Sequence, residues 1–422
     1  MLKRSSSIRA MNGGVFWPRM YKVLTMFSSL KVKYFRIYWL GMFVSLVGTW
    51  IQTVAQSWLV FQLTNSAFLL GVVGFLGSIP IFILSLFGGV LADRTNKRNI
   101  LIFTQAAFML LAFLLAVLTQ FKFITPLQIM FIALLNGVIM AFDAPARQSI
   151  VVELVGREHL FNAIALNSVA FNSSRIIGPA IAGVLISIIG MSGCFYLNGV
   201  SFLAVIIALF YIKFEKNAVR NNNSALRDIK EGLAFVNSNR LILALVSVVA
   251  AMSLFGISYI ILMPVFASHV LGIGVKGLGV LMSGTGLGAL TGALVLARLG
   301  DFKFKGRLLV WSVFLFSVSL ITFSLSKDYF LSIFALIFVG GCSVIPVALV
   351  NTLLQVNVPD EFRGRVMSLF MITFAGVVPF GNLISGSLAQ SWGVSAALFY
   401  CGLVCLALFT LINFLFPGLK KL

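Results

Sequence analysis

Twelve membrane-spanning helices in two bundles of six, an all-α integral membrane fold, are expected for this chain of 422 residues. Three observations lead there. The composition is 60% hydrophobic and only 10% charged, with a mean hydropathy of +1.06. Soluble domains carry roughly a quarter charged residues, so 31 basic and 11 acidic side chains are too few to clothe a 46.0 kDa soluble surface. Apolar runs close to the roughly 20 residues that cross a bilayer recur along the whole chain. The basic residues gather in alternate breaks between those runs, the asymmetry that orients a membrane protein.

In the first half the runs extend from Ile37 to Leu63, Phe68 to Ala92, Ile100 to Gln120, Pro126 to Ala146, Leu160 to Ile189 and Cys194 to Ile212. In the second they extend from Leu241 to Val270, Leu278 to Leu299, Leu308 to Ser326, Tyr329 to Gln355, Val366 to Gln390 and Val394 to Phe416. Tight turns are expected from Gly190 to Gly193 and from Ser391 to Gly393. With both termini cytoplasmic, 27 of the 31 basic residues fall in cytoplasmic segments, against Lys122, Lys276 and Lys327 outside and Arg175 within the fifth run. A net charge of +20 would point to nucleic acid in a soluble protein. Here it sets topology, and no nucleic-acid partner is expected.

The expected organisation is a cytoplasmic tail over 1–36, a first bundle over 37–212, a cytoplasmic linker over 213–240, a second bundle over 241–416 and a tail over 417–422. The first 36 residues are basic and partly polar, with no short apolar stretch and cleavage site. They read as a disordered tail, not a signal peptide. The linker is polar, with Asn221-Asn222-Asn223-Ser224 at its centre.

Sliding one half along the other tests for duplication. At an offset of 208, Leu63, Leu70, Gly71, Asp93 and Lys97 fall on Leu271, Leu278, Gly279, Asp301 and Lys305. At 203, Val155, Glu158, Leu166, Gly178 and Gly183 fall on Val358, Glu361, Leu369, Gly381 and Gly386. A five-residue difference in an intervening loop explains the change. Six spans repeated twice point to a transporter with its site between the halves.

After the second run the chain reads Gly89-Val-Leu-Ala-Asp93-Arg94-Thr-Asn96-Lys97-Arg98. It resembles the first cytoplasmic-loop motif of the major facilitator superfamily, Gly-x-Leu-Ala-Asp-Arg-x-Gly-Arg-Arg, with Asn96 at a glycine position. Asn tolerates the left-handed turn better than other non-glycine residues. The physical reading is a latch. Gly89 permits close helix approach, Asp93 faces a helix N-terminus, and Arg94, Lys97 and Arg98 supply the basic partners of a nearby carboxylate. Such a latch holds the cytoplasmic side shut in an outward-open state. The plain alternative is a basic loop that only sets topology. The second-half echo, Gly300-Asp301-Phe302-Lys303-Phe304-Lys305, is degenerate.

The fourth run ends Ala141-Phe142-Asp143-Ala144-Pro145-Ala146-Arg147-Gln148. Asp143 is the one carboxylate clearly inside a span, where an unpaired charge costs about 3 kcal/mol, so it needs a partner or a proton. The resemblance implies Arg94 or Arg98 as its partner, with Arg147 next. A salt bridge of the latch and a proton-carrying role both stay open. The fifth run contains Ser173-Ser174-Arg175-Ile-Ile-Gly178-Pro179-Ala-Ile-Ala182-Gly183. It resembles the Gly-x-x-x-Gly-Pro-x-x-Gly-Gly motif of antiporters in this superfamily, with Ser174 and Ala182 at two glycine positions. Small residues admit a neighbouring helix, and Pro179 weakens the local ladder. Two places are open for Arg175: contact with Asp143, or the central cavity, where it would attract an anionic substrate. The phrases around Asp143, Asn162-Ala-Ile-Ala-Leu-Asn167-Ser168 and Arg363-Gly364-Arg365-Val366-Met367-Ser368 are similar to the bacterial branch that contains the enterobactin exporter and macrolide-type efflux proteins.

Polar side chains inside spans are candidates for a substrate path: Gln52, Gln56, Asn136, Asn172, Arg175, Tyr259, Asn351, Gln355 and Asn382. Helix–helix hydrogen bonding competes with that reading for each amide. The four cysteines lie in apolar runs and read as buried thiols, and no metal site or cofactor is expected. No phosphate-binding Gly-Lys-Ser/Thr loop or catalytic triad is present in the sequence, so no enzyme activity is expected. The resemblance implies export of a small amphipathic, siderophore-like compound across the bacterial inner membrane by a monomer, driven by protons. Multidrug or macrolide efflux is the first alternative and a non-transporting membrane sensor or assembly factor the second.

Overall fold

The computed structural model describes residues 28–212, 233–300 and 302–418. The first half opens with α1 (Lys33–Thr64), α2 (Ala67–Arg94) and α3 (Lys97–Gln120). A continuous helical stretch, Pro126–Tyr211, follows and breaks at Gly156 (φ 66°) and Gly190 (φ 71°) into α4 (126–155), α5 (157–189) and α6 (191–211). Glycine adopts this left-handed backbone without the steric cost of a Cβ. The second half comprises α7 (Arg240–Val270), α8 (Gly274–Leu299), α9 (Lys305–Leu325), α10 (Tyr329–Asn357), α11 in two pieces (Asp360–Gly376 and Val378–Trp392) and α12 (Val394–Leu415).

Eleven helices among the described residues are long and apolar enough to cross a membrane, and one of these, Glu158–Tyr211, has 54 residues. At 1.5 Å per residue that stretch is roughly 80 Å long, against about 30 Å of hydrocarbon, so it makes two crossings. Its contacts with α1 record the reversal. Trp39 Nε1 donates to Leu166 O at 3.1 Å and Gly178 lies against Trp50, so α5 runs parallel to α1. Gln52 Oε1 accepts from Asn198 Nδ2 at 2.7 Å while Gly41 lies against Ala204, so α6 runs antiparallel.

Short polar side chains start the helices by satisfying end N–H groups. Ser66 accepts from Leu69 N, Asn96 from Arg98 N, Asn239 from Leu241 and Ile242 N, and Asp328 from Leu331 N. Thr125 and Gln128 cap each other reciprocally at α4. The expected amino-terminal tail is shorter in the structure. Ser28–Lys31 forms a 3-10 turn, and Ser29 N and Oγ donate to Asn162 Oδ1 at 3.0 and 2.7 Å. Phe35, fully buried, draws α1 back to Lys33 although basic residues interrupt the apolar run there. Residues 1–27, 213–232 with the Asn221 to Ser224 run, Asp301 and 419–422 lie outside the described residues.

The halves meet along two antiparallel seams. In the first, α2 runs against α11: Ser66 Oγ donates to Gln390 Oε1 at 2.9 Å, Gly71 lies on Asn382 and Gly386, and Phe75 and Phe82 meet Phe380 edge-on at 5.9 and 6.5 Å. In the second, α5 runs against α8: Gly183 lies on Lys276, Gly279 on Pro179 and Gly183, and Gly286 on Arg175, while Ser283 Oγ donates to Ile176 O at 2.9 Å. The repeat relates the two. Gly71 and Gly386 map onto Gly279 and Gly183 at the two offsets read from the sequence. A Cβ on Gly71 would lie 3.0 Å from Gly386 Cα, and one on Gly279 would lie 3.1 Å from Gly183 Cα.

These seams occupy one end of the bundle. The α2 contacts with the second half run from Ser66 to Phe82, whereas Gly88, further along, lies on Ala141 of its own half. The apolar core divides in the same way. One buried cluster joins both halves, with Ile51, Leu115 and Phe195 beside Leu245, Phe266 and Leu281. A second, around Phe35, Tyr38, Leu101, Ile150 and Leu209, belongs to the first half alone. Among the described residues, buried core thus joins the halves toward the end carrying Asn65 and Gly393, while at the basic end carrying the α2–α3 loop the first half keeps a separate core of its own.

Candidate functional site

The buried charge of the first half sits near its basic end. Asp143 is completely buried, and its two oxygens accept four hydrogen bonds. Thr104 Oγ1 and Gln105 Nε2 donate to Oδ1, each at 2.8 Å, while Arg147 Nε and Nη2 donate to Oδ2 at 2.9 and 2.6 Å. The fork of the guanidinium fits a carboxylate one helical turn away. Arg147 also reaches Met42 Sδ at 2.8 Å. The partner inferred from the loop, Arg94 or Arg98, is thus replaced by the alternative Arg147, because a partner on the same helix needs no loop to be ordered.

The remaining latch residues lie apart. Arg98 donates to Phe210 O at 3.2 Å and lies 5.7 Å from the Phe210 ring centroid, so it is held by α6. Lys97 pairs with Glu153 of α4. Arg94 is exposed, and a Cβ on Gly89 would meet nothing within 4 Å. Asp93 lies in the last turn of α2.

The antiporter-like motif lies on the α5/α8 seam. Gly178 faces Trp50 and Val47 of α1, whereas Pro179 O and Gly183 face α8. Arg175 sits one turn earlier, partly exposed, with its Cζ 5.8 Å from the Trp50 ring centroid. It does not pair with Asp143: the described ion pairs are Lys97–Glu153 and Arg147–Asp143. Its other neighbour is Tyr259 of α7, 2% exposed, on which Arg175 and Thr285 of α8 act electrostatically.

The candidate amides separate. Gln52 is bonded to Asn198, Asn172 Nδ2 donates to Ser168 O at 2.8 Å, and Gln355 pairs with Asn351 within α10. Asn382 is buried against Gly74 on the α2/α11 seam. Gln56 and Asn136 are half-buried. Among the described residues, Arg175 and Tyr259 are the candidates from different helices that come together, and their partners Trp50 and Thr285 were not foreseen. Neither were Thr104, Gln105, Glu153 and Asn198. The adjacent polar pair Thr104-Gln105 in an otherwise apolar run is the signal that marks the Asp143 site. Among the described residues no group of three His, Cys, Asp or Glu comes together to hold a metal ion.

Residues 24–421 match a family model described as a transmembrane secretion effector. The chain belongs to this family of major facilitator transporters. The transporter is 25% identical to the staphyloferrin A transporter of Staphylococcus aureus over 83% of this chain and 88% of that one. It is 25% identical to macrolide efflux protein A of Streptococcus pyogenes, covering 90% and 96%. With the enterobactin exporter EntS of Shigella flexneri the identity is 23%, covering 80% of each. Its fold resembles a bacterial homologue of the lysosomal transporter Spinster, solved inward-facing and unoccupied, at a TM-score of 0.70 and 13% identity over 96% and 99% of the two chains. It also resembles a D-xylose-proton symporter, at 0.72 and 13% identity over 92% and 99%. The protein is therefore a multi-span membrane transporter and not an enzyme.

Proposed function

We propose that the transporter exports a small amphipathic, siderophore-like compound across the bacterial inner membrane by alternating access, in exchange for protons. One observation carries this reading. Repeat-related glycine contacts, Gly71 on Gly386 and Gly279 on Gly183, join the halves toward one end, and at the other end the first half's buried core is separate from that of the second. Glycine contacts let packed helices slide or rock with little steric resistance, and rocking about both seams exchanges the open end.

In this reading the basic end, with both termini, is cytoplasmic, so the conformation is inward-facing and one chain encloses one cleft. The α2–α3 latch is disengaged. Gly89 faces open space, Lys97 is held by Glu153 and Arg98 by Phe210, while Asp143 and Arg147 brace α4 beneath it. Closing the cytoplasmic side brings Gly89 and Asp93 onto the second half. The antiporter-like residues Gly178, Pro179 and Gly183 form the moving contact, and Gln56, Asn136, Arg175 and Tyr259 are the residues assigned to the substrate path.

The relatives named for staphyloferrin A and enterobactin support a siderophore as cargo. Deleting the gene and comparing spent medium by mass spectrometry under iron limitation should reveal one missing iron-chelating compound. An unchanged secreted profile would remove the siderophore version. Multidrug efflux is the second reading, supported by the relatives named as macrolide and multidrug pumps. It requires that several unrelated drugs gain potency on deletion while no single metabolite disappears.

A further inference from the structure

Arg175 is a cation in a membrane-spanning helix without a carboxylate partner among the described residues. Beside it stands the Tyr259 hydroxyl, buried to 2% exposure and making no hydrogen bond. Arg175 and Thr285 are its polar neighbours, at the margin of hydrogen-bond geometry and with no well-formed bond to it. Two unmet requirements therefore face each other: a charge lacking its counter-ion and a buried O–H lacking its acceptor. Both are costly in a low-dielectric setting. A single anionic oxygen group placed between them would satisfy both.

The surroundings fit this. Trp50 lies against the guanidinium and meets Phe171 edge-on at 6.3 Å, so an aromatic wall borders the charge. Phe171 is exposed, one turn of α5 before Arg175. Thr285 Oγ1 donates to Met282 O at 2.6 Å, which fixes its orientation beside Tyr259. The position matters as much as the chemistry. Arg175 belongs to α5 of the first half, Tyr259 and Thr285 to α7 and α8 of the second, and Gly286 of α8 lies directly on the Arg175 backbone.

We propose that Arg175 and Tyr259, flanked by Trp50 and Phe171, bind a carboxylate or similar oxyanion attached to an apolar or aromatic body. The site spans the two halves, so an anion seated there bridges them. This deepens the export reading by naming an anionic cargo, and rests on it only for the statement that the bound anion is carried.

The test uses the full chain in lipid nanodiscs with two fluorescent probes, dansylglycine, which carries a carboxylate, and dansylglycinamide, its neutral amide. Binding is read as dansyl emission above that of empty nanodiscs. The carboxylate should bind about tenfold more tightly than the amide, the size of one charge-assisted hydrogen bond. Arg175→Gln should reduce that ratio to about one, Arg175→Lys should restore part of it, and Tyr259→Phe should lower carboxylate affinity alone by about threefold. Size-exclusion profiles identify variants that fail to fold, and Tyr259→Phe, which removes one oxygen, decides if Arg175→Gln is lost. Equal binding of the two probes to the unaltered chain, or an unchanged ratio in correctly folded Arg175→Gln, would overturn the site. Anion preference in a chain that exports nothing would instead leave the site standing and remove the transport reading.

Discussion

The α2/α11 and α5/α8 seams are two copies of one glycine contact that differ in the side chains around it. Gly71 on Gly386 and Gly279 on Gly183 repeat the same backbone approach. Behind them, Gly178 lies against Trp50 in the first half, and its counterpart Gly381 lies against Ser258, 208 residues after Trp50. Where α5 carries Arg175, the 203-residue offset puts Val378 on α11. What the seams share is scaffold, a small-residue bearing on which the halves meet. What they do not share is a cation beside an indole, Arg175 and Trp50, on the α5 side, and the Phe75, Phe82 and Phe380 rings on the α2/α11 side. In the proposed mechanism the symmetric contacts are the moving parts and the asymmetric side chains bind the cargo.

The comparison breaks first at the charged pair of the first half. Asp143→Ala should destabilise the protein by about 3–5 kcal/mol, because a buried ion pair loses one partner, and should lower its melting temperature in detergent markedly. The neutral Asn351–Gln355 pair of α10 is exposed, so Asn351→Ala should leave the melting temperature nearly unchanged. Comparable shifts in both would show that the charged pair has no special structural weight.

Next come the glycines. Leucine at Gly71 or Gly279 places side-chain atoms where a Cβ already approaches a facing carbonyl oxygen at 2.7 or 2.5 Å. Overpacking of this kind costs about 1–3 kcal/mol, so export of the compound missing from the deletion strain should fall about tenfold or more in both variants. A large effect in one and none in the other would contradict the equivalence of the seams. Arg175→Gln and Val378→Gln then sharpen the asymmetry: export should drop about tenfold in the first and stay within about twofold in the second. Smallest is Lys97→Gln. Its partly exposed pair with Glu153 is worth about 1 kcal/mol or less, so melting should shift only slightly.

Much of this architecture was legible because it is periodic. Apolar runs and alternate basic loops gave the crossings, and the offsets of 208 and 203 picked out glycines that the structure sets face to face. Both breaks in the long helix, Gly156 and Gly190, also fall in the gaps between the apolar runs, although α4 continues past the expected end at Ala146. The side-chain pairings were less legible. Hydropathy does not say which neighbour a helix face meets, so nothing in the sequence ties Gln52 to Asn198, 146 residues away. The loop motif points to Arg94 or Arg98 as the partner of Asp143, whereas Arg147 one turn along its own helix reaches it first. The sequence leaves Arg175 between two destinations, and only the packing of α8 on both α5 and α7 brings Tyr259 to it.

Alternating access about the two seams is the central claim, and paired spin-label distances test it most directly. One pair, at Val152 and Val356, reports on the basic ends of α4 and α10, and another, at Leu127 and Phe330, on their opposite ends, all four positions being exposed. In nanodiscs, adding the exported compound or acidifying the buffer should shorten the first distance while lengthening the second. Distances that change in the same direction, or that stay fixed in a chain still exporting its cargo, would contradict the account.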